Sequence, residues 1–337
     1  MRNKLIVPIF LWNKGCPFRC AYCNQKAVSL GKEYWEREDL DRKVDEYSVY
    51  GKELEIGFYG GSFNFIHEEY SNYLLNWAYE KIREGKVSSI RLSVRPDNLS
   101  DELLSLWREK GVRVLEIGIQ SLDDQVLSLN LRGHTSYDAL DAIERAKNFG
   151  FYVSAHIMLG LFGSTRDKDI YTAKRLAEER IDGVRIHPTL VLKGSIYEDW
   201  FKKGIYKPMT LEEAISELVD IVPIFLVNRI EIIRIGLHPD DVLRENVISG
   251  PFHPSLGDIV KSRLFRKVLQ KLKGFGRVNL IICNPKDRGY LYGFKGENRD
   301  ILKAIREEDG RIMEDENIPR FSISTEKISI PYYIAFS

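Results

Sequence analysis

Short apolar runs alternate with longer amphipathic stretches over the first two thirds of the chain. The apolar runs are bounded by Gly, Pro or charged residues, which is typical of buried strands. They predict six strands, at residues 5–11, 54–59, 89–94, 112–119, 152–159 and 184–192. Helical periodicity between them predicts helices at residues 36–50, 67–83, 101–110, 123–130, 137–148 and 167–180.

Strand and helix alternate six times in this region. Repeated strand–helix units favour parallel strands joined by right-handed crossovers. The pattern therefore predicts an α/β fold, a partial (β/α)6 TIM-like barrel over residues 1–237. Its functional groups should lie at the carboxyl ends of the strands. A doubly wound open sheet is the alternative, but its Gly-x-Gly-x-x-Gly motif after the first strand is missing.

The pattern becomes less regular after the sixth strand. A helix at 211–228 and a strand at 230–237 end the predicted barrel domain, and a loop with several prolines follows. Residues 238–337 predict a small α+β appendage, with helices at 258–273 and 298–308 and strands at 278–283 and 328–336.

Composition and charge exclude several classes of protein. Lys plus Arg number 50 against 49 Asp plus Glu, so the net charge gives no general attraction to nucleic acid or anionic membranes. The apolar runs are too short or too interrupted by charge to span a membrane, and no secretory signal opens the sequence. We expect a cytoplasmic protein with no membrane partner.

Three of the four cysteines, Cys16, Cys20 and Cys23, lie together directly after the first strand. This Cys-x3-Cys-x2-Cys spacing lets three thiolates bind one small cluster and leaves one metal position without a protein ligand. Iron–sulfur clusters are the groups that all-thiolate sites usually bind. A structural zinc site needs four ligands. The remaining thiol, Cys283, is distant in sequence and is expected to be an ordinary buried residue, although a histidine could complete a zinc site. A non-catalytic iron–sulfur or zinc-binding protein is therefore the alternative to an enzyme.

This cysteine loop, with Tyr22 before its last cysteine, resembles the signature of the radical S-adenosylmethionine (SAM) superfamily. Within that superfamily the chain resembles the radical-SAM half of the catalytic subunit of Elongator, and more distantly the oxygen-independent coproporphyrinogen oxidases. The supporting stretches are residues 58–63 (FYGGSF), 116–121 (EIGIQS), 132–135 (RGHT), 188–195 (PTLVLKGS) and 204–208 (GIYKP). We find no glycine-rich acetyl-CoA loop, so the acetyltransferase part of Elongator chemistry is not expected.

The resemblance implies two cofactors, a [4Fe-4S] cluster on Cys16, Cys20 and Cys23, and SAM on the fourth iron. Glycines after the second strand would let the backbone approach the SAM amino group, because glycine has no Cβ. The implied SAM-binding residues are Tyr22, Gly60, Gly61, Ser62, Arg95, Gln120 and Ile157. For two of them an ordinary role stays open, since Arg95 is equally a surface turn residue and Ile157 could simply fill the core.

Arg185 and His187 are the candidate catalytic residues. They lie two positions apart on one strand and so point to the same side, where a substrate could meet the radical. His134 and His156 are expected at the same rim. The substrate class stays open between RNA and a small molecule, and a flavodoxin or ferredoxin is the expected electron donor. A basic face on the helix at 258–273 is either a solvated surface or a contact for RNA.

Overall fold

Seven parallel strands form the main sheet and follow one another in sequence order. The computed structural model describes residues 4–12 and 14–330 of the chain. The strands of this sheet are β1 (Leu5–Phe10), β2 (Leu54–Tyr59), β3 (Ser89–Val94), β4 (Val112–Gln120), β5 (Tyr152–Leu159), β6 (Gly183–Pro188) and β8 (Glu231–Ile235). A short β7 (Val191–Leu192) pairs with β9 (Val247–Ser249) in a separate two-stranded sheet.

Helices follow most strands of the main sheet, as right-handed crossovers between parallel strands require. They begin at capping residues such as Ser100 and Thr135, whose side chains accept backbone N–H groups of the first turn. The helices of this region are α1 (Arg37–Ser48), α2 (Glu68–Arg83), α3 (Asp101–Glu109), α4 (Asp124–Leu129), α5 (Ser136–Asn148), α6 (Arg166–Glu178), α7 (Ile196–Lys202), α8 (Leu211–Val227) and α9 (Asp241–Asn246).

The two faces of the main sheet differ in character. One face is apolar and buried, with residues such as Ile117 and Ala155 fully inaccessible. The other face carries buried polar side chains, among them Glu55, Arg91 and Glu116. Because side chains alternate along a strand, each strand contributes to both faces. A polar lumen therefore lies inside the curved sheet.

The predicted α/β partial barrel is confirmed, with seven strands rather than six. The sixth predicted strand ends at Pro188, and its last two residues form β7 instead. The additional strand is β8, which pairs in parallel with β6 and lies in the segment predicted as a strand at 230–237.

The C-terminal region contains a four-stranded sheet with the order β11, β10, β12, β13. Its elements are α10 (Leu256–Lys273), β10 (Val278–Cys283), α11 (Arg288–Tyr292), α12 (Arg299–Ile305), β11 (Arg306–Glu314), β12 (Ile323–Thr325) and β13 (Ser329–Ile330). The helix predicted to reach residue 308 ends at Ile305, because the chain continues as β11 beside β10. Residues 331–336 of the predicted terminal strand lie outside the described residues.

Two compact units divide the chain, one of Met1–Thr210 and Ile230–Phe252, the other of Leu211–Arg229 and His253–Ser337. They differ from the predicted division after residue 237. The reason is that α8 packs against α10, with a Lys267–Asp220 ion pair at 3.1 Å, while β8 completes the barrel sheet. Among the helices in the described part of the chain, none has the length and apolar character of a membrane span.

Candidate active site

A cavity of about 1200 Å³ occupies the barrel lumen and reaches the loops at the carboxyl ends of the strands. The site residues predicted from the sequence line it with one exception, Ile157. The predicted residues in its wall are Cys16, Cys20, Tyr22, Cys23, Gly60, Gly61, Ser62, Arg95, Gln120, Arg185 and His187. Residues distant in sequence are therefore brought together as the barrel arrangement predicts.

Backbone hydrogen bonds fix the cysteine loop in the middle of its span. The amide of Ala21 donates to the carbonyl of Asn130 at 3.1 Å, and the carbonyl of Ala21 accepts from the amide of Tyr197 at 3.0 Å. Within the loop, the amide of Cys23 donates to the carbonyl of Cys20 at 3.0 Å. The loop is thus held by the α4–α5 connection and by α7, and the chain itself sets its conformation.

Each of the three sulfurs has a polar neighbour. The pairs are Cys16 Sγ with Ser62 Oγ at 3.2 Å, Cys20 Sγ with Arg132 Nη1 at 3.4 Å, and Cys23 Sγ with Gln25 Nε2 at 3.5 Å. Arg132 is buried, and its Nη2 also donates to the carbonyl of Gly118 on β4. Hydrogen bonds to ligating sulfurs stabilise the thiolate and adjust the potential of an iron–sulfur cluster.

The donor set fits an iron–sulfur cluster better than a single ion. All four cysteines of the chain are free thiols. No three His, Cys, Asp or Glu side chains of the described residues are grouped closely enough to hold one metal ion. In a cluster each thiolate binds a different iron, so the sulfurs need not meet at one point. Burial, together with the neighbouring Cys20 and Cys16 sulfurs, raises the pKa of Cys23 to about 12, so metal binding there would release a proton.

The glycines after β2 are needed by the chain itself. A Cβ on Gly61 would lie 2.3 Å from the carbonyl oxygen of Lys14, and a Cβ on Gly15 would lie 2.3 Å from that of Ser62. The amide of Ser62 donates to the same Lys14 carbonyl at 2.9 Å. Close contact between the β2 loop and the start of the cysteine loop therefore explains Gly61, and a contact of Gly60 and Gly61 with SAM stays a prediction.

Arg95 is buried and is not a surface turn residue. Its Nε donates to Asp97 at 2.8 Å, and its Nη2 donates to the carbonyl of Arg132 at 2.6 Å. The guanidinium carbon lies 4.7 Å from the centre of the Phe18 ring in the cysteine loop. Arg95 thus connects β3 to the loops that carry the cysteines and Arg132, and its pairing with a SAM carboxylate stays a prediction.

Gln120 adopts a strained conformation at the end of β4. Its φ of +68° lies in the left-handed region, and the amide of Ser121 donates to the carbonyl of Ile119 at 3.0 Å, which closes a tight turn around Gln120. The pairing with β5 shifts register at the same place. Such strain costs about 1 kcal/mol or more and is concentrated at binding sites, which supports the predicted role of Gln120 toward SAM.

Tyr22 and Ile157 have different environments. Tyr22 lines the cavity and packs edge-on against Tyr197, with ring centres 6.3 Å apart. Ile157 is buried on the face of β5 opposite to that of His156, so its side chain fills the core behind the sheet. The side chain of Ile157 therefore has the second of the two roles left open by the sequence, filling the core, and it does not line the cavity.

Arg185 and His187 both point into the lumen, as predicted. The rings of His187 and His156 meet edge-to-face at 4.4 Å. Neither ring nitrogen of His187 has a hydrogen-bond partner among the described residues, and the same holds for Nε2 of His156. His134 is buried too, but it is not part of the cavity wall.

A buried carboxylate network lies beneath these residues and was not predicted. Oε1 of Glu116 lies 2.8 Å from Arg91 Nη1, 3.0 Å from Arg185 Nη2 and 3.3 Å from the Tyr59 hydroxyl. Arg91 also pairs with Glu55 at 2.8 Å. Side chains alternate between the two faces of β4, so Glu116 lies on the same face as Gln120 and should also face the lumen. This alternation is the sequence signal that could have identified Glu116 as a lumen residue. Arg132 and Arg234 also line the cavity. Arg132 opens the RGHT stretch and Arg234 lies on the strand predicted at 230–237, but neither was predicted as a site residue.

Lowering the pH is expected to destabilise the protein through its buried lumen histidines. Burial, followed by the charges of Arg185 and Arg132, lowers the pKa of His156 to about 3. Its pKa in an unfolded chain is about 6.5. The unfolded chain therefore binds a proton that the native protein does not bind, and stability falls as pH drops through this window. From pH 7 to pH 5 the contribution is about 2 kcal/mol, measurable by urea unfolding.

The variant His156→Gln isolates this contribution. Its free energy of unfolding should fall less between pH 7 and pH 5 than that of the parent protein. His67→Gln, at an exposed histidine, is the matched control and should leave the pH dependence unchanged. Equal pH dependence in the parent and His156→Gln proteins would show that His156 is not buried neutral.

Comparison with known proteins identifies the family of this fold and site. The model of the radical SAM superfamily matches residues 11–176, and the model of the radical SAM C-terminal domain matches residues 181–266. A tRNA uridine(34) acetyltransferase of Methanocaldococcus infernus is 26% identical over 278 residues, which cover 76% of this chain and 49% of that protein. Elongator complex protein 3 of Dictyostelium discoideum is 31% identical over 208 residues, covering 54% of this chain and 37% of that protein.

A solved structure shares the fold. The archaeal Elp3 of Methanocaldococcus infernus, with residues 1–46 deleted, has a TM-score of 0.62 at 22% identity and covers 79% of this chain and 63% of that chain. The present chain spans about half the length of the tRNA uridine(34) acetyltransferase and about a third of the length of Elongator complex protein 3. The family predicted from the cysteine loop is confirmed, and the chain belongs to the radical SAM superfamily of enzymes.

Proposed function

We propose that this protein binds a [4Fe-4S] cluster through Cys16, Cys20 and Cys23 and cleaves SAM reductively to start a radical reaction on a bound substrate. The observation that carries the proposal is the placement of three free thiols on one loop in the wall of a large cavity. When bound, the cluster, reduced by an external electron donor, would supply the one electron that cleaves the sulfonium of SAM to methionine and a 5′-deoxyadenosyl radical able to abstract a hydrogen atom.

The residues around the loop orient the cofactors and limit the access of water. Arg132 places a buried positive charge beside Cys20, where it offsets the negative charge of a thiolate-bound cluster. Gln120 offers both donors and an acceptor to SAM. Behind the loop, Tyr22 packs with Tyr197 and Tyr206 in an apolar cluster. These aromatic side chains would shield from water the site in which a reactive radical must form.

Arg185 and His187 would hold the substrate. Both lie on β6, on the lumen side of the sheet, and His187 presents two unpartnered ring nitrogens to the cavity. Cys16 is exposed at the rim, which suits electron delivery by a reduced flavodoxin or ferredoxin.

RNA is the substrate class that we favour over a small molecule. The named relatives include tRNA uridine(34) acetyltransferases. Beside the cysteine loop, lysines lie over aromatic rings, with Lys14 Nζ 3.6 Å from the centre of Tyr34 and Lys26 Nζ 5.5 Å from the centre of Trp12. Tyr34 is 59% exposed. Exposed aromatic rings next to cations are the groups on which unpaired bases stack.

The basic face of α10 gives less support to RNA binding. Arg263 pairs with Glu297 at 2.7 Å, Arg266 donates to the carbonyl of the same residue at 2.7 Å, and Lys267 pairs with an aspartate. Because these cations are used within their own unit, the solvated-surface interpretation of this helix is the better one.

Transfer RNA is expected to increase the rate at which the reduced, reconstituted protein consumes SAM. Tyr34→Ala should raise the half-saturating RNA concentration about tenfold, since stacking on one base contributes about 1–3 kcal/mol to binding. Tyr137→Ala, at another exposed tyrosine, is the matched control. A rate of SAM consumption that is unchanged by RNA but increased by a small metabolite would overturn the proposed substrate class. The proposal that the protein cleaves SAM would still stand.

A further inference from the structure

Two arginines lie side by side in the lumen. Arg185 on β6 is paired in register with Arg234 on β8, so both side chains project from the same face of the sheet, and both line the cavity. Nη2 of Arg185 contacts Glu116 at 3.0 Å, while its Nε is buried without a partner. Arg234 is partly buried, and it has no hydrogen bond or ion pair with the described residues.

The charges in this part of the lumen do not balance. The lumen network contains three guanidinium groups, those of Arg91, Arg185 and Arg234, and two carboxylates, those of Glu55 and Glu116. The carboxylate of Asp240 also lines the cavity, but it accepts from the amide of Leu243 at 2.8 Å as the N-cap of α9 and forms no ion pair with Arg185 or Arg234 among the described residues. Within this network the guanidinium of Arg234 is therefore left without a carboxylate partner. A partly buried cation without a counterion is costly, and a bound anion would remove that cost.

Neutral hydrogen-bonding groups surround the extra charge. His187 is 6% exposed, and both of its ring nitrogens lack a partner. His156 pairs in register with Arg185 on the neighbouring strand, and its Nε2 is unpartnered as well. Burial lowers the pKa of His187 well below its ordinary value, so its neutral ring can donate one hydrogen bond and accept another. Buried polar atoms without partners are rare in native proteins and call for a ligand.

We infer that the lumen binds an oxyanion, a phosphate or a carboxylate, between Arg185 and Arg234, with His187 and His156 as further hydrogen-bonding groups. Guanidinium groups match such oxyanions because they present paired N–H donors in one plane. The inference rests on the proposed function only in taking the oxyanion to be part of the substrate. It assigns to Arg234 a role in selecting anionic substrates, and to Arg185 a second function beyond its pairing with Glu116.

The test is equilibrium binding of simple oxyanions to the reconstituted protein. Inorganic phosphate and acetate are titrated separately and binding is followed by thermal shift, with sodium chloride at matched ionic strength as reference. We expect saturable stabilisation by one of the two oxyanions beyond that given by chloride, and its identity distinguishes a phosphate-bearing from a carboxylate-bearing substrate. Arg234→Gln should weaken this binding at least about tenfold, equivalent to about 1.4 kcal/mol.

Controls separate charge from fold and substrate from cofactor. Arg234→Lys keeps the charge and should retain part of the binding, whereas Arg42→Gln, on the exposed face of α1, should bind like the parent. Stabilisation that is the same in Arg234→Gln and the parent would overturn the inference. So would loss of phosphate or acetate binding when SAM is present, because the site would then belong to the SAM carboxylate. A protein that cleaves no SAM but still binds the oxyanion through Arg234 would overturn the proposed function alone.

Discussion

Replacing Cys16, Cys20 or Cys23 with alanine is expected to abolish cluster binding and SAM cleavage together. Each thiolate would bind one iron of the cluster. Because the fourth iron has no protein ligand, loss of one cysteine would leave only two of the four irons bound to the protein. Iron and sulfide content after anaerobic reconstitution, with the visible absorption of the cluster, measures the first effect. Detection of 5′-deoxyadenosine measures the second. Both should fall to background in all three variants.

Cys283→Ala is the matched control for the loss of a thiol. Cys283 is fully buried in the core of the C-terminal sheet, on β10. Its replacement should lower stability modestly and leave iron content and SAM cleavage unchanged. Loss of iron in a folded Cys283→Ala protein, or retention of the cluster in a Cys20→Ala protein, would contradict the three-cysteine assignment. Zinc without sulfide in the parent protein would favour the structural alternative.

Glu116→Gln is expected to destabilise the protein by about 3 kcal/mol or more. The carboxylate contacts Arg91, Arg185 and the Tyr59 hydroxyl in a buried site. Removing one member of a buried ion-paired group typically costs about 3–5 kcal/mol, because the partners keep an uncompensated charge. Urea unfolding at neutral pH, followed by circular dichroism, measures the change.

Two further variants test whether the loss comes from uncompensated charge. Glu109→Gln replaces an exposed glutamate of α3 and should leave the free energy of unfolding unchanged. The double variant Glu116→Gln with Arg185→Met should recover part of the loss, because it removes one of the unpaired cations. Equal stability of the Glu116→Gln and parent proteins would show that the network contributes nothing to the fold.

Much of the barrel could be predicted because its strands are buried on both faces and end in recognisable loops. The apolar runs predicted the bounds of β2, β3 and β5 to the residue, and each of these runs ends at a glycine or an arginine, Gly60, Arg95 or Gly160. The cysteine loop could be predicted because its spacing alone specifies a ligand set. These signals are local, and each is complete within a short stretch of chain.

Features that depend on distant partners could not be predicted in the same way. The helix α8 belongs with α10, and this depends on contacts such as that of Lys267 with Asp220. The strand β11 begins where periodicity still indicates helix, because pairing with β10 overrides the local preference. The buried environment of Arg95 depends on Phe18 and on the carbonyl of Arg132, which the sequence separates widely.

The lumen chemistry was only partly predictable for a related reason. Alternation on β6 correctly predicts that Arg185 and His187 face the lumen. Whether a charge there has a counterion depends, however, on which charged side chains of the neighbouring strands lie beside it. Glu116 reaches Arg185 from β4, across the intervening β5, and leaves Arg234 without a counterion. Charge balance of this kind is a property of the assembled sheet.

Radical SAM chemistry in this protein is tested by anaerobic reconstitution with iron and sulfide, followed by reduction and addition of SAM. The products are separated by liquid chromatography and identified by mass. We expect the parent protein to form 5′-deoxyadenosine and methionine in equal amounts, and the Cys20→Ser variant to form neither. A parent protein that holds a complete, reducible cluster, binds SAM and yet yields no 5′-deoxyadenosine would contradict this expectation.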